Sequence, residues 1–247
     1  MKAVMLAAGI GMRLDRGDNY PPKVLLRFGG KSLLQRHVEI LRYLGVRELI
    51  LGVGHLAGMI DDEIDRIGVN GYVRCVHNPQ YKEGGITTLW ALREEITSGD
   101  PIILMDADVL YDHRLMARLT EFDGSAFVYD CEIEPGDEPV KLCIRDGVIV
   151  DFHKQPTEAY DSFGEWVGFI RFAPEVAEQL PNAVAPYIEA GETDTLYEQS
   201  IRDLVQSLPA ETFAIEDITG LPWTEIDFQE DLHHAEQEIL PQLEELP

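Results

Sequence analysis

The chain has 247 residues, 45% of them hydrophobic and 26% charged, with 45 acidic against 20 basic residues and a formal charge of −25. That size and apolar content suit one enlarged domain with a sizeable core. The acidic surplus argues against DNA, RNA and anionic membranes as partners.

The first predicted element is a short buried strand, Ala3 to Leu6, which runs into Ala7-Ala8-Gly9-Ile10-Gly11-Met12-Arg13. Small residues followed by Gly9 and Gly11 let backbone N–H groups come within hydrogen-bonding distance of phosphate oxygens. Arg13 and, ten residues on, Lys23 of a Pro-Pro-Lys turn add cationic donors. A dinucleotide fingerprint fails because position 14 is Leu14, and Gly30-Lys31-Ser32 is not a P-loop because position 25 is Leu25. The charge distribution agrees with a small anionic ligand. Residues 1–31 hold six basic and two acidic residues, a local balance of +4, which leaves −29 on the remainder. That remainder reads as a solvated surface.

Ser32 is a plausible N-cap for a helix with Leu33, Leu34, Val38, Leu41 and Leu44 at helical spacing, ended by Gly45. Glu48 to Val53 reads as a second strand, Asp61 to Ile67 as a helix, Val73 to His77 as a third strand, and Thr87 to Ile96 as a helix entered through Gly84 and Gly85. Pro101 to Met105 is a fourth strand, closed by Asp106-Ala107-Asp108. Strands alternating with helices imply a mostly parallel sheet covered on both faces. From Ser125 the pattern becomes antiparallel, with short strands at Ala126 to Tyr129, Lys141 to Ile144, Val148 to His153 and Val167 to Phe172. Helices return at Pro174 to Leu180 and Thr195 to Leu208, and Phe228 to Leu243 reads as a charged terminal helix.

A strand that ends in Asp-x-Asp delivers carboxylates to the carboxyl edge of a parallel sheet, where the glycine loop also lies. Asp106 and Asp108 can share a face, with Asp108 the stronger candidate for a metal; a helix cap is the competing explanation. Asp227, bracketed by Ile226 and Phe228, is a second candidate, and it too could cap the helix that follows. Magnesium prefers carboxylate oxygens, and one or two of them with triphosphate oxygens suffice. The three cysteines have no Cys-x-x-Cys spacing and suggest neither a disulfide framework nor a zinc site. The N-terminal apolar run is too short for a signal peptide, and nothing approaches the roughly 18 to 20 apolar residues of a membrane span. A soluble cytoplasmic protein is expected.

LAAGIGMRL followed by PPK resembles the signature of the nucleotidyltransferases that make sugar nucleotides and activated head groups, with Gly9, Gly11, Arg13 and Lys23 on the motif positions. Trp-Thr-Glu-Ile-Asp-Phe beside a terminal helix resembles the end of the cytidylyltransferases that act on phosphocholine and phosphonate head groups. With MDADV between them, the likeness spans nearly the whole chain. It implies a Rossmann-like three-layer α/β fold with a mostly parallel mixed sheet and a small antiparallel extension. One domain over 1–247 is expected, divided into a nucleotide-binding core (1–124), an inserted strand region (125–172) and a segment of helices with the second metal ligand (173–247).

The resemblance also implies roles. CTP would be held by Leu6, Ala7, Ala8, Gly9, Gly11, Arg13, Lys23, Gly85, Thr87 and Asp106, Mg2+ by Asp108 and Asp227, and a small phosphorylated or phosphonate acceptor by Lys154 and Glu165. Arg13 and Lys23 would be catalytic, and a homodimer is allowed. Lys154 and Glu165 also read as ordinary surface charge. Gly84-Gly85 stands where many choline-type relatives carry Asn-Asn, which leaves phosphocholine and 2-aminoethylphosphonate both open. Trp90, Trp166, Tyr81 and Tyr160 are candidates for an aromatic box around a quaternary ammonium, or for core. The implied chemistry is attack by a phosphate or phosphonate oxygen on the α-phosphorus. A phosphate monoester has a second pKa of about 6, so it needs no general base. A sugar-1-phosphate nucleotidyltransferase is the alternative within this chemistry. A metal-dependent glycosyltransferase is the alternative outside it, although it leaves Gly9, Gly11, Arg13 and Lys23 without a purpose.

Overall fold

The computed structural model describes residues 1–14, 20–132 and 139–247; Asp15, Arg16 and Asp18 of the basic opening segment lie outside the described residues. The chain opens with β1 (Lys2–Ala7), forms the two-residue strands β2 (Arg27–Phe28) and β3 (Lys31–Ser32), and enters α1 (Leu33–Tyr43). It continues through β4 (Leu49–Val53), α2 (Ala57–Ile67), β5 (Val73–His77), α3 (Gly85–Ala91), α4 (Arg93–Ile96) and β6 (Ile102–Asp106). There follow β7 (Val109–Tyr111), α5 (His113–Glu121), β8 (Ser125–Asp130), β9 (Lys141–Arg145), β10 (Val148–His153) and β11 (Ser162–Phe172). The last part holds α6 (Pro174–Ala177), α7 (Leu180–Ala190), α8 (Tyr197–Ser207), β12 (Phe213–Asp217), β13 (Trp223–Glu225) and α9 (Gln229–His234).

Among the described residues, β5, β4, β1 and β6 lie side by side and parallel at the centre of the main sheet. The alternation of β1 explains the layers. Ala3, Met5 and Ala7 face a core shared with Leu34 and Val38 of α1, Ile60 of α2 and Leu115 of α5. Val4 faces the opposite core with Ile86 and Leu89 of α3 and Ile201 and Leu204 of α8. Each fully buried Leu or Ile contributes about 1.5–3 kcal/mol. After β1 the chain crosses to β4 on one side, while β6 joins on the other. This strand-order reversal opens a crevice at the carboxyl ends of β1 and β6, and the glycine loop and the Asp-x-Asp turn both empty into it.

β11 extends the sheet in two directions. Its second half pairs antiparallel with β6 from Phe169 to Phe172, and its first half pairs with β9 from Ser162 to Glu165. The register breaks between Trp166 and Ile170, where Gly168 adopts φ +86°. A Cβ there would sit 3.1 Å from Asp106 Oδ2, so glycine serves both the turn and the close approach.

The expected α1 is present with its cap: Gln35 N donates to Ser32 Oγ at 3.1 Å. Other expectations need revision. The helix expected over Thr87 to Ile96 divides at Leu92, where φ −86° and ψ 0° end α3 and open α4. The terminal helix is α-helical only in α9. It widens into a π turn over Ala235–Ile239 and tightens over Leu240–Gln242, since Pro241 cannot donate a backbone hydrogen bond and its ring crowds the carbonyl four residues back. The strand expected from Val167 begins at Ser162. The short strands β7, β12 and β13 and the helices α5 and α7 are additional to the sequence reading.

Candidate active site

The loop after β1 turns at Gly11, with φ +69°, and Leu14 N donates to Gly11 O at 3.2 Å to close a single 3-10 turn over Met12–Leu14. Leu14 is buried in a small core with Leu26, Phe28, Leu110, Ile226 and Ile239, which ties the loop to β7 and to the chain after β13. A second 3-10 turn, Lys23–Leu25, is anchored by buried Val24 and by Leu25 N donating to Pro22 O at 2.8 Å. It aims Lys23 into the crevice.

There Lys23 Nζ donates to Asp108 Oδ2 at 2.7 Å and to Asp227 Oδ1 at 2.6 Å, while Arg13 Nη1 donates to Asp227 Oδ2 at 2.6 Å. Burial would lower the Lys23 pKa, but Asp108 and Asp227 outweigh it and hold the ammonium well above the ordinary lysine value. Burial acts to raise Asp227, and Lys23 and Arg13 reverse that to a value below the usual carboxylate range. These groups line a cavity of about 280 Å³ together with Leu6, Ala7, Gly9 and Gly11. A Cβ built on Gly9 would meet nothing within 4 Å. The glycine therefore leaves open space on the cavity wall and relieves no crowding within the chain.

The competing explanation of the aspartates as caps does not match the geometry. Asp112 caps α5, accepting from Arg114 N at 3.0 Å, and Asp231 Oδ2 accepts from Asp227 N and Phe228 N at 2.8 and 2.6 Å at the start of α9. Asp108 and Asp227 are left to the cations. Ile226 N donates to Asp108 O at 2.9 Å, and β13 pairs with β7, which locks the two acidic segments together.

This pairing adds a residue absent from the sequence reading. One oxygen each of Asp108, Glu225 and Asp227 lie within 4.8 Å of one another. Three carboxylates around one point make a hard-oxygen donor set suited to a divalent cation. The surrounding protein, then Asp108, Asp227 and Asp106, push the Glu225 pKa well up. The signal was present in the chain: Glu225-Ile226-Asp227 repeats the acid-x-acid alternation of Asp106-Ala107-Asp108. His37 is a second such residue. It is fully enclosed beneath the Asp-x-Asp turn, its Nε2–H lies 3.3 Å from Ala107 O, and its Nδ1 faces the Tyr111 hydroxyl at 3.3 Å. Burial brings its pKa down to about 4, so it stays neutral.

The other expected site residues lie around the crevice in different settings. Asp106 sits on β6 behind Asp108, where Tyr197 Oη donates to its Oδ1 at 2.6 Å. Burial, then Asp108 and Glu198, raise its pKa well above the usual range. Ala8 is buried. Thr87 is buried with its hydroxyl committed, accepting from Asn78 Nδ2 at 2.9 Å and donating to Gly84 O at 2.8 Å. Gly85 abuts Tyr197, whose Cδ1 would lie 3.2 Å from an added Cβ.

Lys154 and Glu165 line a second cavity of about 540 Å³, which shares Arg13 and Asp227 with the first. Glu165 stands between Asp130 of β8 and Lys141 of β9 in the sheet register. Burial, then Asp130, push it up to about 7 against the pull of Lys141. Of the aromatic candidates, Trp166 reaches this cavity, whereas Trp90 packs with the second core beside Arg93.

Comparisons with known proteins agree with this architecture. The choline-phosphate cytidylyltransferase of Streptococcus pneumoniae is 27% identical over 247 residues, covering 96% of this chain and 97% of that protein. The CMP-5'-(3-aminopropyl)phosphonate synthase of Streptomyces rubellomurinus is 25% identical over 259 residues, covering 99% of this chain but only 40% of that longer protein. The solved structure of the CTP:phosphocholine cytidylyltransferase from Streptococcus pneumoniae superposes with a TM-score of 0.76 at 23% identity, over 96% of this chain and 97% of that one, and so shares the fold. Residues 3–159, which carry the glycine loop, Lys23, the Asp-x-Asp turn and Lys154, match the MobA-like NTP transferase domain, and the chain belongs to that family.

Proposed function

We propose that the protein transfers CMP from CTP to a small phosphorylated or phosphonate head group, of the phosphocholine or 2-aminoethylphosphonate type, and releases pyrophosphate. The observation that carries this reading is the convergence of Arg13 and Lys23 with Asp108 and Asp227 on one cavity walled by Gly9 and Gly11. The resemblance to relatives that act on phosphocholine and on an aminopropylphosphonate supports the acceptor class.

In the proposed reaction an acceptor oxygen forms a bond to the α-phosphorus while the α–β bridging bond breaks and pyrophosphate leaves with its electron pair. Lys23 stabilises charge on the α-phosphate during transfer, and Arg13 with the Gly9 to Gly11 amides holds the β- and γ-phosphates. Leu6, Ala7 and Ala8 shape the floor of the nucleotide site, and Gly85, Thr87 and Asp106 its base and ribose side. Lys154 and Glu165 meet the acceptor in the adjoining cavity. Asp108, Asp227 and Glu225 would hold magnesium, which neutralises phosphate charge when bound. Holding two anions in line supplies much of the rate enhancement, which is why no catalytic histidine is required.

The proposed setting is the cytoplasm, with one domain over 1–247. No helix among the described residues is long and apolar enough to cross a membrane. The test is pyrophosphate release with magnesium, each of the four ribonucleoside triphosphates, and a panel of head-group and sugar phosphates. Release with CTP and a head group is expected, and release only with a sugar 1-phosphate would overturn the acceptor assignment.

A further inference from the structure

Lys154 reaches the second cavity from the stretch that follows β10. A lysine carries its charge on a flexible stem, so the part that the protein can fix in advance is the backbone from which it hangs. Loops are the mobile part of a fold, and a loop that delivers a charge to a ligand needs bracing. Residues 153–158 are braced from two sides. On one side Lys141 Nζ, on the neighbouring strand β9, donates to Lys154 O at 3.0 Å. On the other, Thr157 N and Glu158 N donate to Asp151 Oδ2 at 2.8 and 3.1 Å.

Asp151 is itself a buried charge. Its side chain is fully enclosed, and its Oδ1 accepts from Phe152 N at 2.9 Å. Arg202 of α8 completes the set, with Nε donating to Oδ1 at 2.7 Å and Nη2 to Oδ2 at 3.1 Å. Arg202 Nη2 also donates to Thr157 Oγ1 at 2.7 Å, so one guanidinium holds the carboxylate and the loop together. A buried ion pair recovers little net stability over an apolar pair of the same volume. An apolar pair, however, has no means of gathering two loop N–H groups and a hydroxyl at one point.

The placement of α8 gives this brace a fixed reference. Ile201 and Leu204 are buried in the second core, and at the start of the helix Tyr197 donates to Asp106 at the end of β6. Arg202 lies farther along the same helix. The helix is thus fastened to the Asp-x-Asp turn and, through Arg202, to the loop that bears Lys154, and it sets the spacing between them. Neither Asp151 nor Arg202 lines the cavity, so any effect they have on a ligand there passes through the loop.

We propose that Arg202 is a positioning residue: paired with Asp151, it fixes the loop of residues 153–158 so that Lys154 is held at the acceptor cavity. The proposal rests on the assignment of Lys154 to the acceptor and adds the element that determines where that charge stands.

The test is a double-mutant cycle on the full chain with magnesium and CTP, using whichever of phosphocholine and 2-aminoethylphosphonate gives the higher kcat/KM. Arg202→Lys keeps the charge but loses the planar fork that serves Asp151 and Thr157 together. It should raise KM for the acceptor about tenfold, as a misplaced binding group does, and leave KM for CTP within about twofold of wild type. In a Lys154→Ala background the same substitution should change KM for the acceptor by less than about twofold, because the residue it acts through is gone. Thr157→Val removes a single hydroxyl contact on an exposed residue and should give a smaller rise of the same kind, about threefold; it decides the question if Arg202→Lys does not fold. An effect of full size without Lys154, or an unchanged KM in both variants while Lys154→Ala raises it, overturns the positioning role. Hydrogen exchange read by mass spectrometry separates the brace from the reaction assignment. Faster exchange over residues 153–158 in Arg202→Lys, with β9 and β10 as protected as in wild type, supports the brace. With that result in hand, a Lys154→Ala enzyme with unchanged KM, or the absence of pyrophosphate with every acceptor, overturns the role of Lys154 or the reaction and keeps the brace, whereas unchanged exchange overturns the brace.

Discussion

Replacing Lys23 with methionine keeps most of the volume of the stem and removes the cation that lies between Asp108 and Asp227. The ammonium makes two short charged hydrogen bonds, at 2.7 and 2.6 Å, between side chains that are 16%, 18% and 22% exposed. Hydrogen bonds to charged groups contribute about 1.5–3 kcal/mol each, and partial exposure argues for the lower end, or about 3 kcal/mol for the pair. At about 2–4 °C per kcal/mol for a chain of this size, the variant should melt roughly 6–12 °C below wild type near pH 7. The gap should depend on pH. The raised Lys23 pKa makes its contribution full below about pH 10 and lost as pH rises through the folded value. The lowered Asp227 pKa makes its contribution full above about pH 4 and lost as pH falls through the folded value. The difference should therefore be widest between about pH 5 and 9 and close below about pH 4. Magnesium chloride without nucleotide should raise the melting temperature of the variant more than that of wild type, because the carboxylates have lost their resident cation. Scanning calorimetry across pH and magnesium checks all three statements. A gap below about 2 °C at pH 7, or equal magnesium shifts in both proteins, would refute the assigned role of the cluster.

Other perturbations separate stability from function. Gly9→Ala should leave the melting temperature within about 1 °C of wild type, since an added Cβ meets nothing within 4 Å, yet raise KM for CTP through crowding of the phosphates; steady-state kinetics beside a melt decides it. Asp108→Asn and Glu225→Gln should each cut kcat by about 10²–10³-fold with the fold retained, which circular dichroism and pyrophosphate assays check together. Glu165, raised to about 7, binds its proton more tightly folded than unfolded, so it contributes most below about pH 4.5 and loses that contribution as pH rises to about 7. Glu165→Gln should therefore show a smaller fall in melting temperature between pH 4.5 and 7.5 than wild type, and an identical fall in both would remove Glu165 from the account.

The parts of the site legible in the sequence are those whose chemistry is contiguous. The strand, Gly9, Gly11, Arg13 and Lys23 lie within one short segment, and the apolar runs of β1, β4, β5 and β6 declare a parallel sheet. The bounds of Val73 to His77 are legible because turns flank the strand on both sides. By contrast β7 and β13 are three residues each, and they become strands only by pairing with each other across more than a hundred residues. Such pairing leaves no local trace. α7 carries Pro186 inside its span, which reads as a breaker, although the helix survives on the burial of Leu180 and Val184. α5 was more accessible: Asp112 precedes Leu115, Met116 and Leu119 at helical spacing. Glu225 was equally visible as an acid two residues before Asp227, but its value depends on Val109, its register partner, standing next to Asp108. The engagement of Asp106 by Tyr197, 91 residues away, is a fact of tertiary packing alone.

Arg13 and Asp227 are separated by 214 positions, yet their side chains touch. The glycine loop and its cations are therefore synthesised well before Glu225 and Asp227, the acids that complete the cluster. If the cluster works as proposed, turnover switches on only once these two distant segments of the polypeptide have met.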